Sequence, residues 1–276
     1  SGAAGTIYIQ TGDQADGQGT LVVDNGNRLP YLNGISTDMP AGVNIWRGML
    51  TWIGGMGITF VIMIFLPVMR VGGMQFFRTE GFETLGKVLP RATDLARSLM
   101  MIYVGLTLFC GLAYGVAGMP PLHAAVHAMT TVASGGVSPT DMSFGIYPPA
   151  VEYLGGICII LATLPYVRYL QMINGQALPL LRDEQARAYL RWIAYVVAAV
   201  TLWRWLTSDQ PFESIFREAF FNIVSVFSGS GFASGSFASW GAPAVIVAVA
   251  VGMIGGCSSS SSAALSVFQV QIALRA

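Results

Sequence analysis

TTVASGGVSP (residues 130–139) and SVFSGSGFASG (residues 225–235) share one construction. Each follows an apolar helical run, breaks into small residues around glycine, and stands between hydrophobic segments long enough to cross a membrane. In a bilayer, backbone that leaves the helix must be buried in protein or line a watery cavity. Two such breaks in one chain predict an ion pathway built from pore loops in an all-α membrane protein.

Composition agrees. The 276 residues are 54% hydrophobic and 10% charged, with a mean hydropathy of +0.60; ordinary soluble domains carry about 25% charged residues. Net charge is zero and basic runs are missing, which argues against a nucleic-acid partner. Cys110, Cys158 and Cys257 are far apart within apolar stretches, so they read as small core residues rather than a disulfide or metal site. The chain opens without Met or an apolar leader, in a polar, glycine-rich stretch over residues 1–40, and is expected to begin inside a longer protein.

About 20 apolar residues cross the hydrocarbon core as a helix. Five windows are expected to do so: residues 45–69, 95–118, 150–167, 189–207 and 242–257. Residues 123–137 and 212–231 are apolar yet reach their glycine breaks too soon to span, and read as re-entrant pore helices. Basic residues test the layout. Arg70, Arg78, Lys87, Arg91 and Arg97 follow the first window, and Arg168, Arg182, Arg187 and Arg191 follow the third. Residues 119–149 carry no Lys or Arg, and residues 208–240 carry Arg217 alone. The positive-inside rule then puts both basic loops in the cytoplasm and both re-entrant segments outside.

Span, short helix, glycine break and span thus occur twice, with Gly135 and Gly231 in equivalent places. Such repeats usually surround a shared path. Residues 45–69 read as the closing helix of an earlier unit, and residues 1–6 (SGAAGT) as a remnant of its glycine break. A weakly hydrated monovalent cation sheds water where carbonyl oxygens replace its shell. Glycine reaches the backbone angles this needs without steric cost. Ala133, Ser134, Ser228 and Ser230 are small enough for the strands to pack closely. The short helices, ending near Val132 and Phe227, aim negative C-terminal ends at the ion. Asp141 either concentrates cations at the mouth or serves as a solvated turn acid.

Five stretches carry a family resemblance: WRGMLTWIGGMGI (46–58), LPVMRVGGMQFFRTEG (66–81), HAMTTVASGGVSPTD (127–141), SVFSGSGFASGSFASW (225–240) and IGGCSSSSSAALSVF (254–268). From Trp46 onward the chain resembles the membrane subunit of Trk/Ktr-type potassium transporters, the TrkH-like branch. The resemblance implies repeats of helix, pore helix, filter and helix around one potassium path, four in the whole family member. It implies about five transmembrane helices and two re-entrant pore helices here. Residues 1–43 are then an extracytoplasmic segment, 44–94 the end of the first repeat with a cytoplasmic loop, 95–186 the second repeat and 187–276 the third, all in one partial transport domain. Gly135 and Gly231 become filter glycines binding potassium, with carbonyls from Val132, Ala133, Ser134, Ser228, Gly229 and Ser230. The first filter maps to Gly2 or Gly5. Gly255, Gly256, Cys257, Ser258, Ser259, Ser260, Ser261 and Ser262 fall in the family's intramembrane gating loop. There the serine run replaces glycines and Ser266 stands in the place of a lysine, which implies an altered gate; the rival reading is a polar patch inside a helix. The resemblance further implies potassium uptake, passive or by symport, without a cofactor, in the bacterial inner membrane. Its partners are the lipid bilayer, a second copy and a separate cytoplasmic nucleotide-binding subunit docking on residues 70–97 and 168–191.

The fourth repeat and the opening of the first are missing, so a non-conducting truncated scaffold is the alternative function. A remote third is an intramembrane serine hydrolase using Ser230 or Ser134 with His127. His123 and His127, four apart on a helix, are better read as pore-helix residues bonded behind the filter than as metal ligands. Gly54, Gly55 and Gly57 suit close helix contact, and Arg204 is expected to snorkel from the outer end of its span.

Overall fold

The computed structural model describes residues 5–9, 20–24, 40–60, 92–173, 175, 178–235, 240–258, 260–262 and 265–275. It divides into two units, residues 1–38 and 39–276. The first departs from an all-helical reading. Strands β1 (Gly5–Ile9) and β2 (Thr20–Asp24) pair antiparallel, with Ile7 opposite Val22. GTIYI and TLVVD are rich in β-branched residues, which suit a pleated strand. Gly5, one of the two expected positions for a first filter, opens β1; Gly2 lies outside the described residues.

The second unit is helical: α1 (Ala41–Phe60), α2 (Ala92–Val116), α3 (Pro121–Val132), α4 (Pro149–Thr163), α5 (Tyr166–Ile173), α6 (Leu178–Arg182), α7 (Glu184–Thr207), α8 (Phe212–Ser228), α9 (Ala242–Gly252) and α10 (Val267–Arg275). The order of long helix, short helix, break and helix therefore recurs as α2–α3–α4 and α7–α8–α9. Proline marks the starts. Pro120, Pro148 and Pro211 occupy the caps of α3, α4 and α8, and Pro149 follows inside α4. A fixed φ and a missing N–H cost nothing where the first helical donors have no partner. At α7 the signal is different: the Asp183 carboxylate accepts from the Ala186 N–H at 2.9 Å and pairs with Arg168 at 2.7 Å.

Among the described residues, one helix is long and apolar enough to cross a membrane by itself, Ala96–Val116. Met101, Leu108, Phe109, Leu112 and Val116 point outward from it, a face suited to acyl chains. The third expected span is corrected. Residues 150–167 do not run as one helix: α4 stops at Thr163 and α5 leaves it at 88°. Pro165 supplies no N–H and pushes Leu164 out of the helical region, to φ −77° and ψ 156°. The fifth window, expected to reach Cys257, ends as α9 at Gly252. The first is helical through Phe60; its remainder, with Arg70, Arg78, Lys87 and Arg91, lies outside the described residues.

The core forms where α3 packs on α1 and α2, and α8 on α4 and α7. Glycines set the closest approaches. A Cβ on Gly55 would stand 2.9 Å from Ala133 at the end of α3, so this glycine lets α1 lie against the first break. Gly54 and Gly57 face open space and take no part. On α4, a Cβ on Gly155 would come within 2.7 Å of Phe144 and 2.8 Å of Phe221. Packed rings of this size cannot yield without rotamer strain. Gly155→Val is therefore expected to destabilise the α4–α8 contact by about 1–3 kcal/mol. A lowered unfolding midpoint of the detergent-solubilised protein checks it, and an unchanged midpoint contradicts it.

Candidate functional site

The helix α3 runs out in small residues. Ala133 is still right-handed, Ser134 takes φ +52°, and Gly136 takes φ +64°. The Gly135 N–H closes back on Thr130 O at 2.9 Å. The helix α8 ends the same way: Gly229 caps it at φ +74° and Gly231 repeats φ +74°. A second correspondence fixes the alignment. The Thr130 hydroxyl donates to Val137 O at 2.8 Å, and the Ser225 hydroxyl donates to Phe232 O at 2.7 Å. Thr130 with Ser225, Ser134 with Gly229, Gly136 with Gly231 and Val137 with Phe232 are all separated by the same number of residues. By backbone geometry the partner of Gly231 is thus Gly136, one residue beyond the expected Gly135.

The two breaks meet. A Cβ on Gly136 would run into Ser230 O and approach the backbone of Gly231, so these strands pass each other with no room for a side chain. Beyond the breaks, the two helical repeats are joined again where Phe144 N–H donates to Ala233 O at 2.9 Å. Gly135 and Gly231 are exposed, while Val132, Ala133, Ser134, Ser228 and Ser230 are buried. Both helices direct their C-terminal ends, the negative ends of their dipoles, at this meeting point.

The segment between α9 and α10 lies against the same place, and the rival reading of a polar patch within a continuous helix is overturned. The chain leaves the helix at Met253 and regains it at Val267. Gly255 N–H donates to Leu265 O at 2.7 Å and Val267 N–H to Gly256 O at 3.1 Å, closing the loop at its neck. Serine hydroxyls make several of its other bonds. Ser262 Oγ accepts from Gly256 N–H and donates to Ser228 O, both at 2.7 Å. Ser261 Oγ shares a hydrogen bond with Ser134 Oγ at 3.0 Å and donates to Ala162 O at 3.3 Å. Ser260 Oγ bonds Cys257 O, Cys257 N–H reaches Thr163 O, and Ser258 N–H reaches Gln185 Oε1. Ser259 lies outside the described residues. The loop therefore touches both breaks through hydroxyls.

His127 is fully buried behind the first break, ringed by Phe144, Tyr147 and Phe232, with Nδ1 bonded to His123 O at 2.8 Å. His123 Nδ1 is bonded to Tyr147 Oη at 2.7 Å. The hydrolase pairs are not formed: Ser134 bonds Ser261, and Ser230 Oγ lies 2.6 Å from Ser228 Oγ. Arg204 is another correction. It does not snorkel to solvent but is buried, with Glu218 at 2.9 Å, Gln210 at 3.0 Å and its guanidinium 4.3 Å from the Trp240 ring centroid. Arg217 pairs with buried Glu152 and with Glu213. Residue-by-residue reading missed these pairs, although a charge inside an apolar segment signals a buried partner.

Residues 31–274 match the TrkH family, described as cation transport protein. The Trk system potassium uptake protein TrkI of Halomonas elongata is 38% identical over 239 residues, covering 86% of this chain and 48% of that protein. The Trk system potassium uptake protein TrkH of Salmonella typhimurium is 32% identical over 238 residues, covering 84% and 49%. The crystal structure of the potassium transporter TrkH from Vibrio parahaemolyticus superposes with a TM-score of 0.75 at 26% identity, over 86% of this chain and 49% of that one. The chain spans about half the length of the curated relatives it matches. Matching breaks, the looped final segment and these alignments agree: this chain is a membrane protein and belongs to the TrkH family of cation transport proteins.

Proposed function

We propose that this chain supplies two of the filter strands of a potassium uptake path, with the serine loop as its gate. The observation that carries the reading is the meeting of Gly136 with Ser230 and Gly231 at the C-terminal ends of α3 and α8. Carbonyls of Val132, Ala133, Ser134, Gly135, Ser228, Gly229, Ser230 and Gly231 are the proposed ligands, joined by Gly136. Carbonyl oxygens in a close cage replace the hydration shell of potassium at lower cost than that of the smaller, more strongly hydrated sodium. The names of the relatives, potassium uptake proteins, support the choice of ion. The same reading gives the protein a bacterial inner-membrane location, a second copy beside it and a cytoplasmic nucleotide-binding subunit as regulator. Support for the last two comes from the family resemblance and from the basic residues Arg182, Arg187 and Arg191, exposed on the side expected to face the cytoplasm.

The test is rubidium uptake by a host lacking its own potassium uptake systems and expressing the full gene product that carries this sequence. Saturable uptake, competed by potassium and much less by sodium, is expected. No uptake above the empty host, with the protein present in the membrane, refutes the proposal.

A further inference from the structure

We propose that Arg217 and Glu218 are positioning residues that set the depth and rotation of α8 and so the shape of the ion cage, an inference that rests on the filter reading above. Consecutive helical residues project about 100° apart, and these two carry opposite charges. Arg217 turns to α4, where it pairs with buried Glu152, and also takes Glu213 at 3.2 Å. Glu218 turns to α7 and accepts from Arg204 at 2.9 Å. Arg204 in turn holds Gln210 at 3.0 Å and lies over Trp240, so one guanidinium joins α7, the connection before α8, α8 itself and the segment that leads into α9.

The hold reaches the filter strand by one more step. A turn beyond Glu218, Asn222 donates to Glu218 O at 2.8 Å and to Ser234 Oγ at 2.9 Å, while its side-chain oxygen accepts from Ser234 N–H at 3.1 Å. Ser234 closes the segment that begins at Gly229, and its neighbour Ala233 bonds Phe144 of the other helical repeat. The helix is thus pinned at its outer half by two opposite charge pairs and at its inner half by an amide clamp. A cage of backbone carbonyls discriminates ions by the number and placement of its oxygens. A helix free to slide carries those carbonyls with it. Charge pairs resist sliding better than apolar contact, because a displaced guanidinium or carboxylate leaves a buried charge unpaired.

The experiment uses the full gene product in the uptake assay, comparing rubidium uptake with sodium competition per molecule in the membrane. Arg217→Glu, Glu152→Arg, Glu218→Arg and Arg204→Glu are each expected to lower potassium-over-sodium preference by about tenfold, as displaced groups cost geometry-sensitive sites. The exchanges R217E with E152R and E218R with R204E are expected to restore most of it. Glu218→Gln, close in shape and without charge, is expected to fold and to lose preference about threefold. A purely architectural role changes the amount of protein in the membrane and leaves preference per molecule untouched. Unchanged preference in Glu218→Gln, or exchanged pairs no better than single reversals, overturns the proposal. The filter reading stands or falls separately on whether the unaltered protein takes up rubidium.

Discussion

Gly136→Ala is expected to abolish potassium-selective uptake, while Gly135→Ala keeps most of it. Gly136 holds φ +64°, a region that costs a residue with a Cβ about 1–2 kcal/mol. The added carbon would also run into Ser230 O, a backbone atom of the opposite strand, which cannot move without displacing the strand itself. Together these penalties amount to about 2–5 kcal/mol, a factor of about thirty to several thousand if expressed in occupancy of the native filter. Gly135 differs in both respects. Its φ is not positive, and its added Cβ meets the methyl group of Thr51 on α1. Thr51 also donates its hydroxyl to Arg47 O at 2.9 Å, so turning the methyl aside loses about 1 kcal/mol of hydrogen bonding. Thr51→Ser removes that methyl and keeps the hydroxyl. The double variant G135A with T51S should therefore transport like the unaltered protein, and nothing comparable rescues Gly136→Ala. Rubidium uptake per molecule, with sodium as competitor, reads both. Equal loss at the two glycines overturns the register that pairs Gly136, rather than Gly135, with Gly231.

The doublet Gly135–Gly136 shows where sequence reasoning stops. Apolar runs ending in small residues mark the two short helices before the glycine breaks, and both are found; the interruption of the last segment was implied by the family resemblance alone, and the chain does leave the helix there. Adjacent glycines, however, offer two equal partners for Gly231, and only backbone angles separate them. The hydroxyl spacing from Thr130 to Val137 and from Ser225 to Phe232 carries the missing register, but its meaning depends on a strand folding back along its own helix. Arg204 was hidden for a related reason: its partner Glu218 lies across a turn and on another helix, so neither charge announces the other. The break after α4 and the strands of the first unit were missed, although the sequence carries a signal for each. Leu164–Pro165 forbids a straight helix, and the β-branched runs at residues 5–9 and 20–24 outweigh the surrounding glycines.

Ser262→Ala is expected to raise rubidium flux about tenfold per molecule, with Ser262→Thr remaining near the unaltered rate. Among the described residues, the Ser262 hydroxyl both closes the loop, through Gly256 N–H, and straps it to the second break, through Ser228 O. Ser228 is among the proposed ion ligands, and while its carbonyl accepts from Ser262 it has one lone pair fewer to offer an ion. Alanine leaves the buried Gly256 N–H and the strand carbonyl without this partner, a penalty of about 1–3 kcal/mol against the strapped loop. That shifts the balance between strapped and released loops by about fivefold to 150-fold. The neighbouring hydroxyl is weaker. Ser261 has a single proton, and giving it to Ala162 O makes Ser134 the donor in their shared bond. Ser261→Ala then leaves Ser134 able to turn to another acceptor, and a smaller gain of flux follows. A rate in Ser262→Ala equal to or below that of the unaltered protein, with Ser262→Thr unchanged, means that the serine loop does not close the path.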